Sequence, residues 1–297
     1  MNAEIYGNGS SGGSVRTDLA CEAGRPCAAR REWRGTVGGQ TVTVCRSRET
    51  DGGRYVTLSC GPLTDWEGDA LTALAGRVAA ELRALAVLML GHPLTGDTRV
   101  LVAGLGNAAI TPDALGPGTV SRLTVTRHLR QMERALYDAL GCCELSALSP
   151  GVLGQTGIEA ALLIRQAADT AGAELIVAVD ALAARSVSRL ASTVQLSDRG
   201  LSPGAGIGNR RMTLDADTAG RPVLSLGIPT VVDSGTLLYD ALTQAGVDPD
   251  ALPEPLRGIP ASGRACIVTP RDCDAINERA CMLLSRALDM AFGIGRA

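Results

Sequence analysis

The sequence has few aromatic residues, no lysine and only two histidines. Aromatic side chains make up 2% of its 297 residues, so we expect a core of Ala, Val, Leu and Ile, which suits helices packed on a sheet. A net charge of -3 without a dense basic stripe argues against direct binding of nucleic acid. Because only His92 and His128 are present and no Cys-x-x-Cys pair occurs, we expect no metal site and no other cofactor.

Long hydrophobic runs are also missing. The longest run, residues 84–90, is far too short to cross a bilayer, and the N-terminus has no basic region followed by an apolar one. We therefore expect neither membrane association nor secretion. The nine cysteines form an odd set in which Cys142 and Cys143 are adjacent, which is not typical of a disulfide framework. The predicted compartment is a reducing cytoplasm.

A short leader precedes the patterned part of the chain. Residues 1–14 are rich in Gly, Ser and Asn, which indicates a flexible segment. Two β-patterned runs between residues 41 and 60 flank Asp51-Gly52-Gly53 and predict a hairpin. A capping box at residues 64–67 then predicts the start of a helix that continues to about Leu90.

From residue 100 onward, predicted strands and helices alternate. They are a strand at 100–104, a helix at 116–140, a strand at 144–148, a helix that starts with a capping box at 156–159 and ends at Gly172, a strand at 175–179, strands at 223–228 and 265–268, and a last helix opened by Thr269-Pro270. Short strands separated by helices indicate a largely parallel sheet covered on both faces. The Gly-rich segment 200–209 is predicted to be a surface loop beside the site.

Two aspartates directly follow predicted strands. Asp113 comes after the strand at 100–104, and Asp180 comes after the strand at 175–179. Acids at the carboxyl ends of two strands in an open sheet are expected to face one another across a crevice. Two close carboxylates cannot both ionise easily, so one can hold a proton while the other takes a proton from water. In the structural alternative, Asp113 caps the following helix and Asp180 ends its strand in a turn. Spacing alone favours neither hypothesis.

An oxidoreductase is a further alternative. Gly104-x-Gly106-x-x-Ala109 after a strand matches a relaxed dinucleotide fingerprint, which would bind NAD. The fingerprint requires a helix directly at the glycines and an acid after the next strand. Thr111-Pro112 delays that helix, and the next strand ends at Ser149-Pro150.

We also expect Arg185 to pair with a carboxylate.

Six segments of the chain occur in an order that is specific to one known family. They are residues 104–107 with 111–117, 126–129, 150–152 with 155–159, 179–185, 202–209 and 227–233. Together they resemble the germination protease family of endospore-forming bacteria. The matches are dense between Val100 and Asp233.

The resemblance implies a fold, an activity and partners. The fold is similar to that of the hydrogenase-maturation peptidases, an α/β three-layer sandwich of the phosphorylase/hydrolase-like kind with a largely parallel or mixed central sheet. The implied activity is that of an atypical aspartic endopeptidase, which begins the degradation of small acid-soluble spore proteins in the cytoplasm of the forespore or spore core. Asp113 and Asp180 match the family's two essential aspartates. The maturation peptidases bind a metal with acids at these places, so a metal-dependent peptidase stays an alternative, as does an inactive scaffold that binds spore proteins.

The resemblance also gives the leader a role, since the family is made as a zymogen that removes its own N-terminal segment. Thr17-Asp18-Leu19-Ala20-Cys21-Glu22 repeats, with conservative changes, the Thr-Glu-(Phe or Ile)-Ala-Ser-Glu pattern that is cut in the spore proteins. We therefore predict cleavage between Asp18 and Leu19. Residues 1–18 would then be a flexible propeptide, and residues 19–297 would form a single α/β peptidase domain.

The chain departs from the family pattern in one region. Family members carry several tens of additional residues between the segment at 227–233 and the C-terminal helix, where this chain has a short Pro-rich link at 249–260. The family forms tetramers, so a homo-oligomer is expected, but the missing residues weaken the prediction of a tetramer. The two aspartates lie outside the shortened region.

Overall fold

The computed structural model describes residues 17–24, 26–202, 211–248, 251, 253 and 266–294. The predicted leader at 1–14, most of the Gly-rich segment at 200–209 and most of the Pro-rich link at 249–260 lie outside the described residues, as does Ala265 of the last predicted strand. In the part of the chain that is described, no helix combines the length and the apolar character that a membrane span requires.

Strands and helices alternate along most of the described chain. The strands are β1 (Cys27–Val37), β2 (Gln40–Glu49), β3 (Arg54–Ser59), β4 (Arg99–Gly104), β5 (Glu144–Leu148), β6 (Leu175–Ala184), β7 (Thr193–Ser197), β8 (Val223–Asp233) and β9 (Ile267–Val268). The helices are α1 (Gly68–Leu90), α2 (Leu115–Val120), α3 (Arg127–Met132), α4 (Arg134–Leu140), α5 (Leu153–Thr156), α6 (Ala160–Ala171), α7 (Ala216–Ala219), α8 (Ser234–Gln244) and α9 (Cys273–Ala291). Short 3₁₀ turns lie at Leu63–Asp65, Thr111–Asp113 and Val187–Arg189.

The nine strands of the described chain form one mixed sheet. Its order is β1-β2-β3-β7-β8-β6-β4-β5, and β9 pairs with the end of β8. The pairs β5-β4, β4-β6 and β6-β8 are parallel, whereas the other pairs are antiparallel. The α/β class with a parallel or mixed sheet is therefore confirmed. Many of the strand pairs are antiparallel because the predicted hairpin, β2-β3, belongs to the same sheet. It joins the sheet by pairing β3 with β7.

Helices cover both faces of this sheet and make a three-layer sandwich. On one face, α1 and α9 pack together over the odd-numbered residues of β6, such as Val177. On the other face, α6 covers the even-numbered residues, such as Ile176. The predicted apolar positions of α1 are all buried: Leu71, Leu74, Val78, Leu82 and Leu85.

The capping boxes predicted at residues 64–67 and 156–159 are wrong. α1 begins at Gly68 and α6 begins at Ala160, each without a hydrogen bond from a capping side chain. In the second box, the Thr156 hydroxyl instead accepts the backbone N–H two residues further on, at 3.1 Å. Short hydroxyl side chains form such local turns in competition with helix caps.

Two other helix predictions fail because threonines bind to the sheet. The helix predicted at 116–140 is divided into α2, α3 and α4, and before α3 the Thr126 hydroxyl bonds to two backbone groups at the start of β5, both at 2.8 Å. The last helix begins at Cys273 instead of Pro270. Just before it, the Thr269 hydroxyl donates to a carbonyl of β8 at 3.1 Å.

Strand β6 is longer than its apolar run predicts, and its end is open on one side. It continues through Asp180 to Ala184 because β8 pairs with it along that whole length. On its other edge, β4 stops at Gly104, which is the partner of Val179. Beyond Val179, the backbone groups on this edge of β6 therefore need partners other than β4.

Helix α2 lies unusually close to the central strands. A Cβ atom added to Gly116 would lie 2.2 Å from the carbonyl oxygen of Leu105 and 2.6 Å from that of Val179. Glycine at this position allows α2, and the 3₁₀ turn before it, to approach the ends of β4 and β6.

We expect Gly116→Ala to lower the free energy of unfolding by about 1–3 kcal/mol, because the added methyl group must displace backbone atoms. Gly76→Ala is the matched control: it lies inside α1, and its nearest neighbour would be 4.0 Å from the new Cβ. That change should stabilise the chain by about 0.5–1 kcal/mol. Urea unfolding followed by circular dichroism measures both changes, and equal effects would contradict the close approach.

Candidate functional site

Asp180 is a buried carboxylate inside strand β6. The residue is 7% exposed, and its Oδ1 accepts the N–H of Ala181 at 2.9 Å. Burial raises the pKa of Asp180 well above that of an ordinary aspartate, and the negative charges of Asp113 and Asp18 raise it further. The N–H of Ala181 opposes the shift. The residue lies within a strand, so the alternative in which Asp180 ends a strand in a turn is wrong.

Asp113 approaches Asp180 from the segment that follows β4. It is the last residue of the 3₁₀ turn, and its Oδ2 accepts the N–H of Asn107 at 2.8 Å. The Thr230 hydroxyl fixes the turn by donating to the carbonyl of Pro112 at 2.6 Å. Burial raises the pKa of Asp113, although the Asn107 N–H lowers it. The side chain does not cap α2, so the helix-cap alternative is also wrong.

The structure places both aspartates in the wall of one cavity. This cavity of about 450 Å³ lies at the carboxyl ends of β4 and β6, as expected for acids that follow these strands. A second cavity of about 490 Å³ is lined by Gln195 of β7 and Gly227 of β8. Among the residues that the structure describes, Asp18 and Asp180 line both cavities.

Asp180 and Gln195 are joined by a row of cross-strand neighbours. Asp180 is paired with Gly227 of β8, which is paired with Gln195 of β7. Directly opposite residues project from the same face of a sheet, so both side chains stand on the face that α6 covers. Gly227 has no side chain, and a Cβ there would lie 2.6 Å from the Asp180 carbonyl oxygen. The side chain of Leu182 lies over Gly227, with its Cγ 2.7 Å from the place of that Cβ, and all four residues line the second cavity.

The predicted processing segment, residues 17–22, lies along the open edge of β6. The N–H of Asp18 donates to the carbonyl of Ala183 at 2.9 Å, and the N–H of Ala183 donates to Asp18 Oδ2 at 2.8 Å. The segment thus bonds to β6 at Ala183, beyond the end of the pairing with β4 at Val179. Asp18 lines the same cavity as Asp113 and Asp180, which sequence spacing alone does not predict.

Leu19 anchors the segment in an apolar pocket. Its side chain is fully buried, in a cluster with Leu182, Ala184 and Val232. Burial of a leucine side chain contributes about 1.5–3 kcal/mol relative to exposure. The residue after the predicted cleavage point is therefore held by packing.

Glu22 holds the end of the segment. Its carboxylate accepts the N–H of Arg185 at 2.7 Å, the N–H of Ser186 at 3.1 Å and the hydroxyl of Thr17 at 2.7 Å. The backbone beyond β6 thus binds an acidic side chain through charge-assisted hydrogen bonds. Arg185 itself pairs with Asp240, with Nε 3.4 Å from Oδ1, as the sequence predicts.

Gln195 is a site residue that the sequence analysis missed. Its Nε2 donates to the carbonyl of Asp18 at 2.9 Å, and its Oε1 accepts the N–H of Ala20 at 2.7 Å. A single glutamine in a strand pattern has no motif around it. The pairing of β7 with β8, which brings Gln195 into the site, follows from sheet topology alone.

The geometry does not match the dinucleotide-binding alternative. After Gly104 and Gly106 the chain enters a 3₁₀ turn, so the helix N-terminus that would bind a dinucleotide phosphate is missing there. A catalytic zinc usually has three protein ligands. Among the described residues, no group of three or more His, Cys, Asp or Glu side chains is placed to hold a metal ion. All nine cysteines are free in the structure.

Comparison with known proteins now identifies the family. A family profile described as Germination protease (Peptidase_A25) matches residues 40–245, which include Asp113 and Asp180. The chain belongs to the germination protease family. The predicted resemblance is confirmed. Asp18 and Leu19 lie before the matched range.

Three proteins named Germination protease illustrate the similarity. The protein of Clostridium perfringens is 42% identical over 190 residues, which cover 64% of this chain and 56% of that protein. The protein of Caldanaerobacter subterraneus subsp. tengcongensis is 38% identical over 243 residues, which cover 77% and 72%. The protein of Bacillus subtilis is 37% identical over 246 residues, which cover 77% and 66%. The chain thus spans little more than half the length of the first of these relatives.

We expect Asp180→Asn to stabilise the chain at neutral pH. The pKa of Asp180 is higher in the folded chain than the value of about 3.9 in an unfolded chain, so ionisation destabilises the fold as the pH rises above that value. The gain in melting temperature should be small near pH 4 and should grow toward pH 7. Scanning calorimetry at several pH values measures it, with Asp69→Asn, an exposed acid at the start of α1, as control. A constant gain, or a loss that grows with pH, would refute the assignment.

Proposed function

We propose that this protein is an endopeptidase of the spore cytoplasm, which begins the degradation of small acid-soluble spore proteins during germination. The observation that carries the proposal is the placement of Asp113 and Asp180, whose pKa values are both raised, in the wall of one cavity. The chain's own residues 17–22, which resemble the cut sequence of those proteins, lie against this cavity. Membership of a peptidase family supports the same reaction.

The two carboxylates share one proton in this mechanism. Asp180 keeps it, because Asp180 is more deeply buried and lies beside two other negative charges. Asp113 is half-buried and is stabilised as an anion by the N–H of Asn107. The proton belongs to the pair, so the pH profile reports apparent values of the pair.

Hydrolysis then proceeds in two steps. Asp113 takes a proton from a water molecule, and the water oxygen bonds to the carbonyl carbon of Asp18 while the electron pair of the C=O bond moves to the carbonyl oxygen. That oxygen re-forms its double bond as the C–N bond breaks, and Asp180 gives its proton to the nitrogen of Leu19. A proton passes from Asp113 back to Asp180, so both acids return to their initial states.

The first substrate of the site is the chain's own leader. Cleavage between Asp18 and Leu19 would release residues 1–18 as the propeptide and leave residues 19–297 as the peptidase domain. The contacts of Asp18, Leu19 and Glu22 support this proposal, since they hold the residues on both sides of the bond. Spore proteins with the related sequence would then bind along the same edge of β6 by displacing the new N-terminus at Leu19 from its pocket.

The test is self-cleavage of the purified full-length chain in mild acid, where the pair holds its proton. Mass spectrometry should find a product that begins at Leu19. Asp113→Asn and Asp180→Asn should each slow its appearance by about 10²–10⁴-fold, because each removes one proton-transfer group. The two variants should fail in the same way to cut a small acid-soluble spore protein added in trans.

Asp69→Asn is the matched control and should cut at the wild-type rate. Full activity in either site variant would refute the shared role of the aspartates. Saturable NAD binding in calorimetry without cleavage would support the oxidoreductase alternative, and loss of wild-type activity in a chelator would support a metal-dependent peptidase.

A further inference from the structure

The side chain of Gln195 bridges the peptide bond between Asp18 and Leu19. Its carboxamide bonds to the carbonyl before that bond and to the N–H of Ala20 after it, at 2.9 and 2.7 Å. A residue of a parallel strand bonds to its neighbour in this way, to the carbonyl of one residue and the N–H two positions later. Gln195 thus supplies with its side chain the contacts that a strand supplies with its backbone.

These two contacts also fix which atom of the carboxamide faces which group. The N–H of Ala20 can only donate, so it requires the amide oxygen of Gln195. The NH₂ group must then face the carbonyl oxygen of Asp18, which can only accept. The donor is therefore directed at the oxygen of the bond that we propose is cut.

The position of Gln195 is rigid. It is 7% exposed and lies inside β7, where Thr57 of β3 flanks it on one side and Gly227 of β8 on the other. Asp18, whose carbonyl accepts from Gln195, lines the same cavity as Gln195 and Asp180. A donor held in advance, in a site that excludes most water, is the arrangement that stabilises negative charge on an oxygen.

We propose that Gln195 is a catalytic residue of the cleavage reaction. When water adds to the carbonyl carbon of Asp18, the C=O electron pair moves to the oxygen, and the Nε2–H of Gln195 stabilises the charge that forms there. The same group binds the carbonyl of a spore protein in trans. This inference rests on the proposed function, because it assumes that the bond after Asp18 is the one that is hydrolysed.

The test separates the donor from the acceptor of the carboxamide. Gln195→Glu keeps an oxygen for the N–H of Ala20 and loses the donor to the carbonyl of Asp18. Gln195→Leu removes both contacts without adding a charge. The first-order rate of self-cleavage should fall by about 10²–10³-fold in each variant, the effect of removing one oxyanion donor. Gln40→Glu, whose side chain bonds to the backbone at Asp65 outside both cavities, should keep the wild-type rate.

A second measurement detects the contact before any reaction. In the Asp113→Asn background, where the leader should stay uncut, the ¹³C carbonyl resonance of Asp18 should move upfield in Gln195→Leu, because its donor is lost. The methyl resonances of Leu19 should stay at their buried positions, since Leu182, Ala184 and Val232 still pack around them.

The outcomes distinguish this inference from the proposed function. If the wild-type chain makes no product that begins at Leu19, both proposals fail. If wild type cuts, Asp113→Asn does not, and both Gln195 variants cut within threefold of the wild-type rate, the role of Gln195 is refuted and the dyad stands. Slow cleavage in a Gln195 variant whose Leu19 methyl resonances have left their buried positions would also refute the catalytic role of Gln195. The lower rate would then come from release of residues 17–22 from β6.

Discussion

The unpaired edge of β6 is the constraint on which the site depends. Backbone N–H and C=O groups inside a protein need hydrogen-bond partners, and β4 stops supplying them at Val179. Three carboxylates take over at alternate residues: Asp180 accepts from Ala181, Asp18 from Ala183 and Glu22 from Arg185. Three acidic side chains therefore lie along this edge of β6 because its backbone N–H groups need hydrogen-bond acceptors.

Burial raises the pKa of Asp180 most, and this gathering of acids raises it further. Asp180 cannot move away from its neighbours, because its strand is paired with β4 up to Val179 and with β8 on both sides of Asp180. Asp113 cannot retreat either, since its turn is fixed by the Thr230 hydroxyl and by close contact at Gly116. The charges of Asp113 and Asp18 therefore raise the pKa of Asp180, because the three acids cannot move apart. A scaffold that was less rigid would relax and lose the effect.

The sequence predicts those parts of the structure that local patterns determine. The core positions of α1, the hairpin β2-β3 and the alternation after residue 100 follow from periodicity and turn residues. Strand β1 was not predicted because its residues are almost all exposed, with arginines along an edge that only pairing with β2 defines. The limits of the helices around Thr126 and Thr269 were wrong, because hydrogen bonds to distant strands decide them.

The site shows the same division. Asp113 and Asp180 could be recognised because each follows an apolar strand and lies within a family motif. Gln195 could not, because it lies outside every family segment and reaches the site only through the order of strands in the sheet. The contact between Asp18 and Ala183 joins residues 165 positions apart, which no local pattern encodes.

The buried side chain of Leu19 has an electrostatic consequence. If the bond before it is cut, the new N-terminal ammonium group is held in place by the pocket of Leu182, Ala184 and Val232. A negative charge leaves with Asp18, and a positive charge appears close to where it was. The pKa of Asp180 would then be lower in the cut chain than in the precursor, because the charge of Asp18 no longer raises it. The same fold would therefore titrate in one pH range before the cut and in another after it.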